Sequence, residues 1–197
     1  MDKYNTRHTL IAKIREQHNE QSWEEFTALY KAYLYSVVIR MGASESDRDD
    51  LVQKALIEIW KSLESFEYVP GEGKFRNWIY GVTKNVCLGH FRSSKRYNNK
   101  IQRAGEDTAF HPLADESSKD EIEESEWKKH IFKLSWQRIE GELSESYRQV
   151  FLLFSQGKDV NEISTELQLQ KNSVHVYRQR VLKRLNREIR FLDDELC

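Results

Sequence analysis

The sequence predicts an all-α protein of two helical domains joined by a flexible, acidic linker. The chain has 197 residues, enough for two small domains, and only two prolines that could interrupt helices. Its strongest apolar repeats follow the three-to-four-residue spacing of helices packed against a core. Its charge is segregated into blocks, although the formal net charge is only -1.

The charged residues form three blocks of alternating sign. Residues 73–105 hold eight bases and no acid, residues 106–126 hold nine acids and one base, and residues 171–190 hold seven bases and one acid. Two basic blocks separated by an acidic one indicate two contacts with anions and a tether between them. We therefore expect domains at residues 1–96 and 126–197, with residues 97–125 as the linker.

Two helices are predicted in the first domain, near residues 22–41 and 46–66. The second has a polar edge that includes Asp50, Gln53 and Glu58, which indicates a protein-binding surface. Its adjacent Asp49 and Asp50 point about 100° apart on a helix, and no His or third acid lies one turn away on their face. No metal site is expected there.

A third helix is predicted from Phe75 to Arg96, after a Pro-Gly loop at residues 67–74. We expect its core face to hold Phe75, Trp78, Ile79, Val82 and Val86. We expect the opposite face to hold Arg76, Tyr80, Lys84, Cys87 and Phe91, with Asn77 and Asn85 beside it. Aromatic rings among cations suit the stacking of bases and the neutralisation of phosphates in a single strand. A solvated helix face explains this stretch, taken alone, about as well.

The second domain carries a helix-turn-helix pattern. The run Asp159–Glu162 matches a capping box and precedes a short helix. A break at residues 168–171 leads into a longer helix near residues 172–192. That helix has an apolar side with Val174, Tyr177, Val181 and Leu185, and a polar side with His175, Gln179, Arg180 and Lys183. Such a second helix enters the major groove of DNA, whereas a plain helical hairpin with a basic face is the alternative.

Several classes of protein are disfavoured by the sequence. No apolar run approaches the roughly 20 residues of a membrane span, and the N-terminus lacks an apolar signal core, so we expect a cytoplasmic protein without membrane insertion. Cys87 and Cys197 are too few and too far apart for a disulfide framework or a zinc site. We find no Gly-rich phosphate loop and no nucleophile constellation, and expect no enzyme activity, cofactor or metal.

Four stretches together resemble the bacterial sigma-70 family in its extracytoplasmic-function form. They are W-x-x-F-x-x-L-Y-x-x-Y from Trp23, D-D-L-V-Q from Asp49 followed by A-L-I-E-I-W, F-R-N-W-I-Y-G-V-T-K-N from Phe75, and L-S-E-S-Y-R-Q-V-F from Leu143 with the helix-turn-helix after it. The resemblance covers about residues 23–96 and 143–185, and it depends on the order and spacing of all four stretches.

The resemblance implies a sigma factor that directs core RNA polymerase to promoters. The first domain would bind the clamp helices of the β′ subunit and melt and capture the −10 element. The second would read the −35 element, near the β flap. The acidic linker would thread toward the polymerase active site and the RNA exit path. An anti-sigma factor is a further partner implied by the family.

The resemblance also implies which side chains make these contacts. The polymerase contacts would be Asp50, Gln53, Glu58 and Trp60. The −10 contacts would be Arg76, Tyr80, Lys84, Asn85, Arg92, Lys95 and Arg96. The −35 contacts would be Ser173, His175, Val176, Gln179, Arg180 and Lys183.

The chain departs from the family pattern at Lys54, Gly89, His175 and Arg178. The last two lie in the reading helix, so the promoter sequence cannot be carried over from the family. An ordinary helix-turn-helix regulator is the alternative function. It accounts for residues 143–192, but not for the basic-aromatic helix or the acidic block.

Overall fold

The computed structural model describes residues 14, 20–63, 66, 75–102 and 119–196, apart from the side chains of residues 95–102, 119–122 and 195. Within these ranges the chain is helical and contains no strand, which confirms the predicted all-α class. The helices are α1 (Glu20–Arg40), α2 (Arg48–Leu63), α3 (Phe75–Gln102), α4 (Lys119–Ile139), α5 (Glu145–Ser155), α6 (Val160–Glu166) and α7 (Lys171–Leu196). The predicted loop at residues 67–74 lies outside the described residues.

The chain divides into two compact units. One comprises Met1–Lys128 with Leu196–Cys197, and the other comprises Lys129–Glu195. The division falls inside α4, between Lys128 and Lys129. The sequence had placed the start of the second domain at residue 126.

The predicted linker at residues 97–125 is wrong at both ends. Helix α3 continues through Gln102, and α4 already begins at Lys119. The reason at the second end is tertiary: Glu123 and Trp127 are buried within the first unit, so the start of α4 belongs to that unit's core. The remainder of the predicted linker, residues 103–118, lies outside the described residues.

Most of the core of the first unit is built from α1, α2 and α3. Large side chains from all three are fully buried, among them Phe26, Leu34, Ile59, Phe75 and Ile79. Each such side chain contributes roughly 1.5–3 kcal/mol relative to exposure, so burial dominates the stability of this unit. The buried Cys87 is a free thiol, and desolvation raises its pKa to about 11.

A glycine two residues after the end of helix α1 turns the chain. Gly42 has a φ of 87°, a left-handed conformation that only glycine adopts without strain. Its N–H donates to the Ile39 carbonyl at 2.9 Å, and the Ala43 N–H donates to the Val38 carbonyl at 3.3 Å. The chain can therefore turn directly toward α2.

The second unit packs α5, α6 and α7 around a small core of Val150, Leu153, Ile163 and Val174. The predicted capping box at the start of α6 is confirmed. The Asp159 carboxylate accepts from the N–H groups of Asn161 at 2.7 Å and Glu162 at 2.9 Å, while the Glu162 carboxylate accepts from the Asp159 N–H at 2.7 Å.

The tight turn between α6 and α7 confirms the helix-turn-helix geometry. Gln168 has a φ of 53°, a conformation uncommon for a residue with a side chain. Hydrogen bonds between Ser164 and Leu169 hold the turn: the Leu169 N–H donates to the Ser164 carbonyl at 3.0 Å, and the Ser164 hydroxyl donates to the Leu169 carbonyl at 2.6 Å. The turn sets the angle at which α7 leaves α6.

None of the helices in the described part of the chain combines the length and the apolar character that crossing a membrane requires.

Candidate nucleic-acid and polymerase interfaces

The buried side of α3 differs from the predicted one. Arg76, Tyr80 and Cys87, expected on the outer face, are buried, as is Thr83. Trp78, Val82 and Val86, expected in the core, are only half-buried. The core face is thus rotated from the predicted stripe, because α3 packs between neighbours whose positions its own periodicity does not encode.

Arg76 is buried because other side chains compensate its charge. Its Nε lies 3.1 Å from Glu123 Oε1, and its Nη2 donates to the Glu124 carboxylate. The guanidinium carbon also lies over the Trp127 ring, 5.2 Å from the ring centroid. A buried cation needs such partners, because an unpaired charge in a core is strongly destabilising. The prediction that Arg76 faces outward is therefore wrong.

Two residues beside Arg76, Tyr33 and Glu124, have shifted pKa values. Burial, followed by the nearby Glu123 carboxylate, raises the pKa of Tyr33 well above its usual value. Burial alone would raise the pKa of Glu124, but the Arg76 guanidinium and the Lys128 ammonium together outweigh burial and hold that pKa below its usual value. The Tyr33 hydroxyl is thus a neutral donor, 3.4 Å from Glu123 Oε1. We refer to Arg76, Glu123, Glu124, Trp127 and Tyr33 as the Arg76 cluster.

The outer side of α3 forms a different stripe from the one predicted. The residues that are exposed or half-buried at helical spacing are Trp78, Val82, Asn85, Gly89 and Arg92. Asn85 and Arg92 are exposed, as predicted for −10 contacts, and Lys84 is half-buried. The side chains of Lys95 and Arg96 lie outside the described residues.

The outer stripe still carries groups that suit a single strand. Trp78 supplies a ring that bases can stack on, and its own ring packs on Phe66 with centroids 4.4 Å apart. The amide of Asn85 can both donate and accept, and Arg92 supplies positive charge. Neither Gly81 nor Gly89 has a heavy atom within 4 Å of where a Cβ would lie, so a strand can approach this surface closely.

Helix α2 presents the predicted polar edge. Asp50, Gln53 and Glu58 are exposed, and two of them are paired along the helix: Asp50 with Lys54 at 2.6 Å and Glu58 with Lys61 at 2.9 Å. Trp60 is half-buried instead, with its ring edge-on to Trp23 at a centroid distance of 4.8 Å.

Ile57 lies within this polar edge and is 51% exposed. An apolar residue ringed by charged groups is the usual composition of a protein-binding patch. Sequence reasoning did not single out Ile57, although the helical spacing of Ala55, Ile59 and Leu63 places it off the buried stripe.

Helix α7 presents the predicted polar face in the second unit. His175, Gln179, Arg180 and Lys183 are exposed, Ser173 is half-buried, and Val176 is exposed at 42%. The opposite side is fixed in the core by Val174, Val181 and Leu185, which are at most 2% exposed. The polar face of α7 is therefore exposed, as the sequence predicts.

Arg178 and Arg180 of α7 are held by aromatic residues of α5. The Arg178 guanidinium lies over the Phe154 ring, 4.4 Å from its centroid, which accounts for a cation where the sigma family usually has an apolar residue. Arg180 Nη1 donates to the Tyr147 hydroxyl at 2.5 Å. Sequence reasoning missed Tyr147, since nothing in its local pattern indicates a partner on another helix.

No group of three or more His, Cys, Asp or Glu side chains that could hold a metal ion occurs within the ranges that the structure describes.

Comparison with known proteins supports this division into two units. Residues 27–97 match the family model described as sigma-70 region 2. Residues 142–190 match the model described as bacterial regulatory proteins, luxR family. The first match covers most of α1, α2 and α3, and the second covers the helix-turn-helix.

The curated relatives are sigma factors. The chain is 33% identical over 70 residues to the ECF RNA polymerase sigma factor SigG of Mycobacterium tuberculosis, covering 36% of this chain and 18% of that protein. It is 23% identical over 77 residues to the ECF RNA polymerase sigma factor SigW of Bacillus subtilis, covering 39% of this chain and 40% of that protein. The matched part thus spans less than half of either relative.

Among solved structures, the sigma factor RpoE in complex with the anti-sigma factor NepR from Bartonella quintana matches with a TM-score of 0.33 and 17% identity, over 86% of this chain and 98% of that one. The region 2 match, the helix-turn-helix match and the sigma-factor relatives agree with one another. Residues 27–97 thus match the sigma-70 family at its region 2, and the relatives similar to this chain are sigma factors of the extracytoplasmic-function group.

Proposed function

We propose that the chain is a sigma factor that directs core RNA polymerase to specific promoters. The observation that carries the proposal is the presence, in one chain, of a sigma-70 region 2 at residues 27–97 and a helix-turn-helix at residues 142–190. An ordinary helix-turn-helix regulator would account for the second match only. The proposed role is one of binding and positioning, and it needs no catalytic group from this chain.

The outer stripe of α3 is the surface we assign to the unwound −10 strand. A melted strand offers base faces that a duplex hides, and a protein ring such as Trp78 contributes roughly 1–3 kcal/mol per stacked base. Asn85 is the residue we assign to a base edge, because an amide donates and accepts at once. Arg92, with Lys84 beside the stripe, supplies charge to phosphates without choosing a base. Tyr80 and Arg76 act indirectly, by holding α3 in the core.

Transcription from a promoter panel with purified core polymerase tests the proposal. We expect promoter-dependent transcripts only when the chain is added. Asn85→Ala should leave polymerase binding intact and reduce the open complex, measured by permanganate reactivity of −10 thymines, by roughly 5- to 100-fold if one base contact worth 1–3 kcal/mol is lost.

The matched control is Asn186→Ala, which makes the same chemical change at an exposed position of α7. A pre-melted −10 bubble separates two roles of Asn85, because it rescues a defect in melting but not one in base capture. Core polymerase that shows no promoter dependence on adding the chain would refute the proposed function. Normal opening by Asn85→Ala would refute only the assignment of Asn85.

The exposed edge of α2 is the surface we assign to core polymerase, at the clamp helices of β′. Asp50 and Gln53 lie on the same side of the helix as Ile57, so polar contacts would surround an apolar anchor. We expect the double variant Asp50→Ala/Gln53→Ala to weaken the polymerase complex at least 5-fold, measured by competition with a labelled wild-type chain.

Glu20→Ala/Gln21→Ala removes one acid and one amide from exposed positions of α1 and is the matched control. A folded Asp50/Gln53 variant with wild-type affinity would move the polymerase contact to another surface. Because Asp50 already pairs with Lys54, the control for a local helix effect is unchanged thermal stability.

The polar face of α7 is the surface we assign to the −35 duplex, with the β flap as the polymerase contact of the second unit. The exposed residues Gln179 and Arg180 can make bidentate contacts with adenine and guanine, and the exposed Val176 can contact a thymine methyl group. We also propose an anti-sigma factor as a partner and a cytoplasmic site of action, on the resemblance to sigma factors alone. Suppression of promoter-dependent transcription by a candidate partner would test the former.

A further inference from the structure

A hydrogen bond to Tyr147 holds the guanidinium of Arg180 on the polar face of α7. Arg180 is exposed on the recognition face of α7, and its Nη1 donates to the Tyr147 hydroxyl at 2.5 Å. Tyr147, on α5, is half-buried, and its ring stacks on Tyr177 with centroids 4.4 Å and planes 23° apart. The tip of a long surface side chain is thus bonded to a ring that is packed in place.

The chemistry of this partner does not neutralise the charge of Arg180. Three other arginines in the described part of the second unit pair with carboxylates: Arg138 with Glu188 at 3.2 Å, Arg148 with Glu145, and Arg184 with Glu142. A tyrosine hydroxyl orients a guanidinium without neutralising it, so the positive charge stays available to DNA. Arg178 lies over the Phe154 ring, which is uncharged and likewise does not neutralise the guanidinium.

The bond to Tyr147 also leaves available the pair of N–H groups with which Arg180 can recognise a base. A guanidinium has five N–H groups, and the bond to Tyr147 uses one of them on Nη1. The Nε and Nη2 groups form a parallel pair, which matches the O6 and N7 acceptors of guanine in the major groove. A mobile arginine would lose rotamer freedom on binding, whereas one already held by a packed ring loses less.

We infer that Tyr147 is a positioning residue that presents Arg180 to a single G·C pair of the −35 duplex, so that the preference for that pair depends on the Tyr147 hydroxyl. The inference rests on the proposed function of α7 as a reader of duplex DNA. Tyr147 itself does not contact a base: it acts through Arg180, and its role is to restrict where the guanidinium can point.

Selection from a promoter library tests the inference on the full chain bound to core polymerase. The library has a randomised −35 segment and a fixed −10 element, and bound sequences are counted for wild type, Tyr147→Phe, Arg180→Ala and the double variant. Tyr147→Phe keeps the ring that stacks on Tyr177 and removes only the hydroxyl. The readout is the preference at each base pair, which a purely structural role would not change at one position alone.

We expect the wild type to prefer guanine at one position about 5- to 100-fold, the range for one bidentate contact. Arg180→Ala should abolish that preference. Tyr147→Phe should reduce it about 3- to 10-fold, the range for one hydrogen bond, and leave the other positions unchanged. The double variant should match Arg180→Ala, because the hydroxyl acts only through the arginine.

Tyr35→Phe, a half-buried tyrosine of α1 in the first unit, is the matched control and should select the wild-type motif. Arg180→Lys should also lose the guanine preference, since it keeps the charge without the fork. The inference is overturned if Tyr147→Phe selects the wild-type motif unchanged, loses preference equally at all positions, or adds to Arg180→Ala. A wild type that selects no −35 motif would refute the proposed reading function instead.

Discussion

At the scale of single residues, the first unit buries charged side chains in its interior. The side chains of Arg76 and Glu123 are only 4% and 8% exposed, whereas that of Glu124 is 43% exposed. Arg76 therefore makes one buried and one partly solvated ion pair. The two carboxylates are adjacent in sequence and bond to the same guanidinium, so their substitution separates the effect of burial from the effect of charge.

We expect Arg76→Met to destabilise the first unit by about 3–5 kcal/mol, because it leaves the buried Glu123 carboxylate without its cation. Adding Glu123→Gln to that variant should restore part of the loss, since the orphaned charge is then removed. Urea denaturation followed by tryptophan fluorescence measures both, and Trp127 is a reporter inside the cluster.

Glu124→Gln is the control for this experiment and should cost no more than about 1 kcal/mol, as expected of a partly solvated pair. Equal losses from Glu123→Gln and Glu124→Gln would show that burial does not distinguish the two carboxylates. An Arg76→Met variant as stable as the wild type would mean that the cluster contributes packing alone.

At the scale of elements, α6 depends on its N-terminal cap. The helix has only seven residues, too few to be stable in isolation, so its first turn matters more than in a longer helix. The reciprocal bonds of Asp159 and Glu162 satisfy N–H groups that would otherwise lack partners. The cap also fixes the start of the helix that precedes the recognition helix.

We expect Asp159→Ala to destabilise the second unit by about 1 kcal/mol, the usual effect of removing a side-chain cap. Asp194→Ala, at an exposed position near the end of α7, is the matched control and should be neutral or slightly stabilising, because an acid near a helix C-terminus opposes the helix dipole. The urea midpoint measures the difference. Identical midpoints for Asp159→Ala and the wild type would show that the cap is not needed.

At the scale of the whole molecule, each unit has a core of its own. The core of the first comes from α1, α2, α3 and the start of α4, and that of the second from α5, α6 and α7. Separate cores predict separate unfolding, since cooperativity follows shared burial.

We expect two thermal transitions in calorimetry, and the two variants already named assign them. Arg76→Met should lower only one transition and Asp159→Ala only the other. The wild-type chain supplies the reference, with Asp194→Ala as a control for the second unit. A single transition that both variants lower equally would show that the units unfold together.

The sequence alone determined the helical class, the helix-turn-helix and the capping box. These features depend on hydrogen bonds and side-chain spacings within a few residues, and such local relations can be recognised in the sequence. The outward side of α7 was also predictable, because its apolar residues Val174, Val181 and Leu185 have no competing stripe.

Only the tertiary structure decided which side of α3 is buried. That helix carries apolar residues around much of its circumference, so periodicity allowed more than one core face. The choice depends on Arg76, whose burial requires Glu123 and Trp127 from α4, a segment distant in sequence. Because of these contacts, the first unit extends to Lys128, beyond the predicted linker. The hydrogen bond from Arg180 to Tyr147 likewise joins residues that are distant in sequence. A pairing between distant residues has no local signature, because its free energy arises only when folding brings the two side chains together.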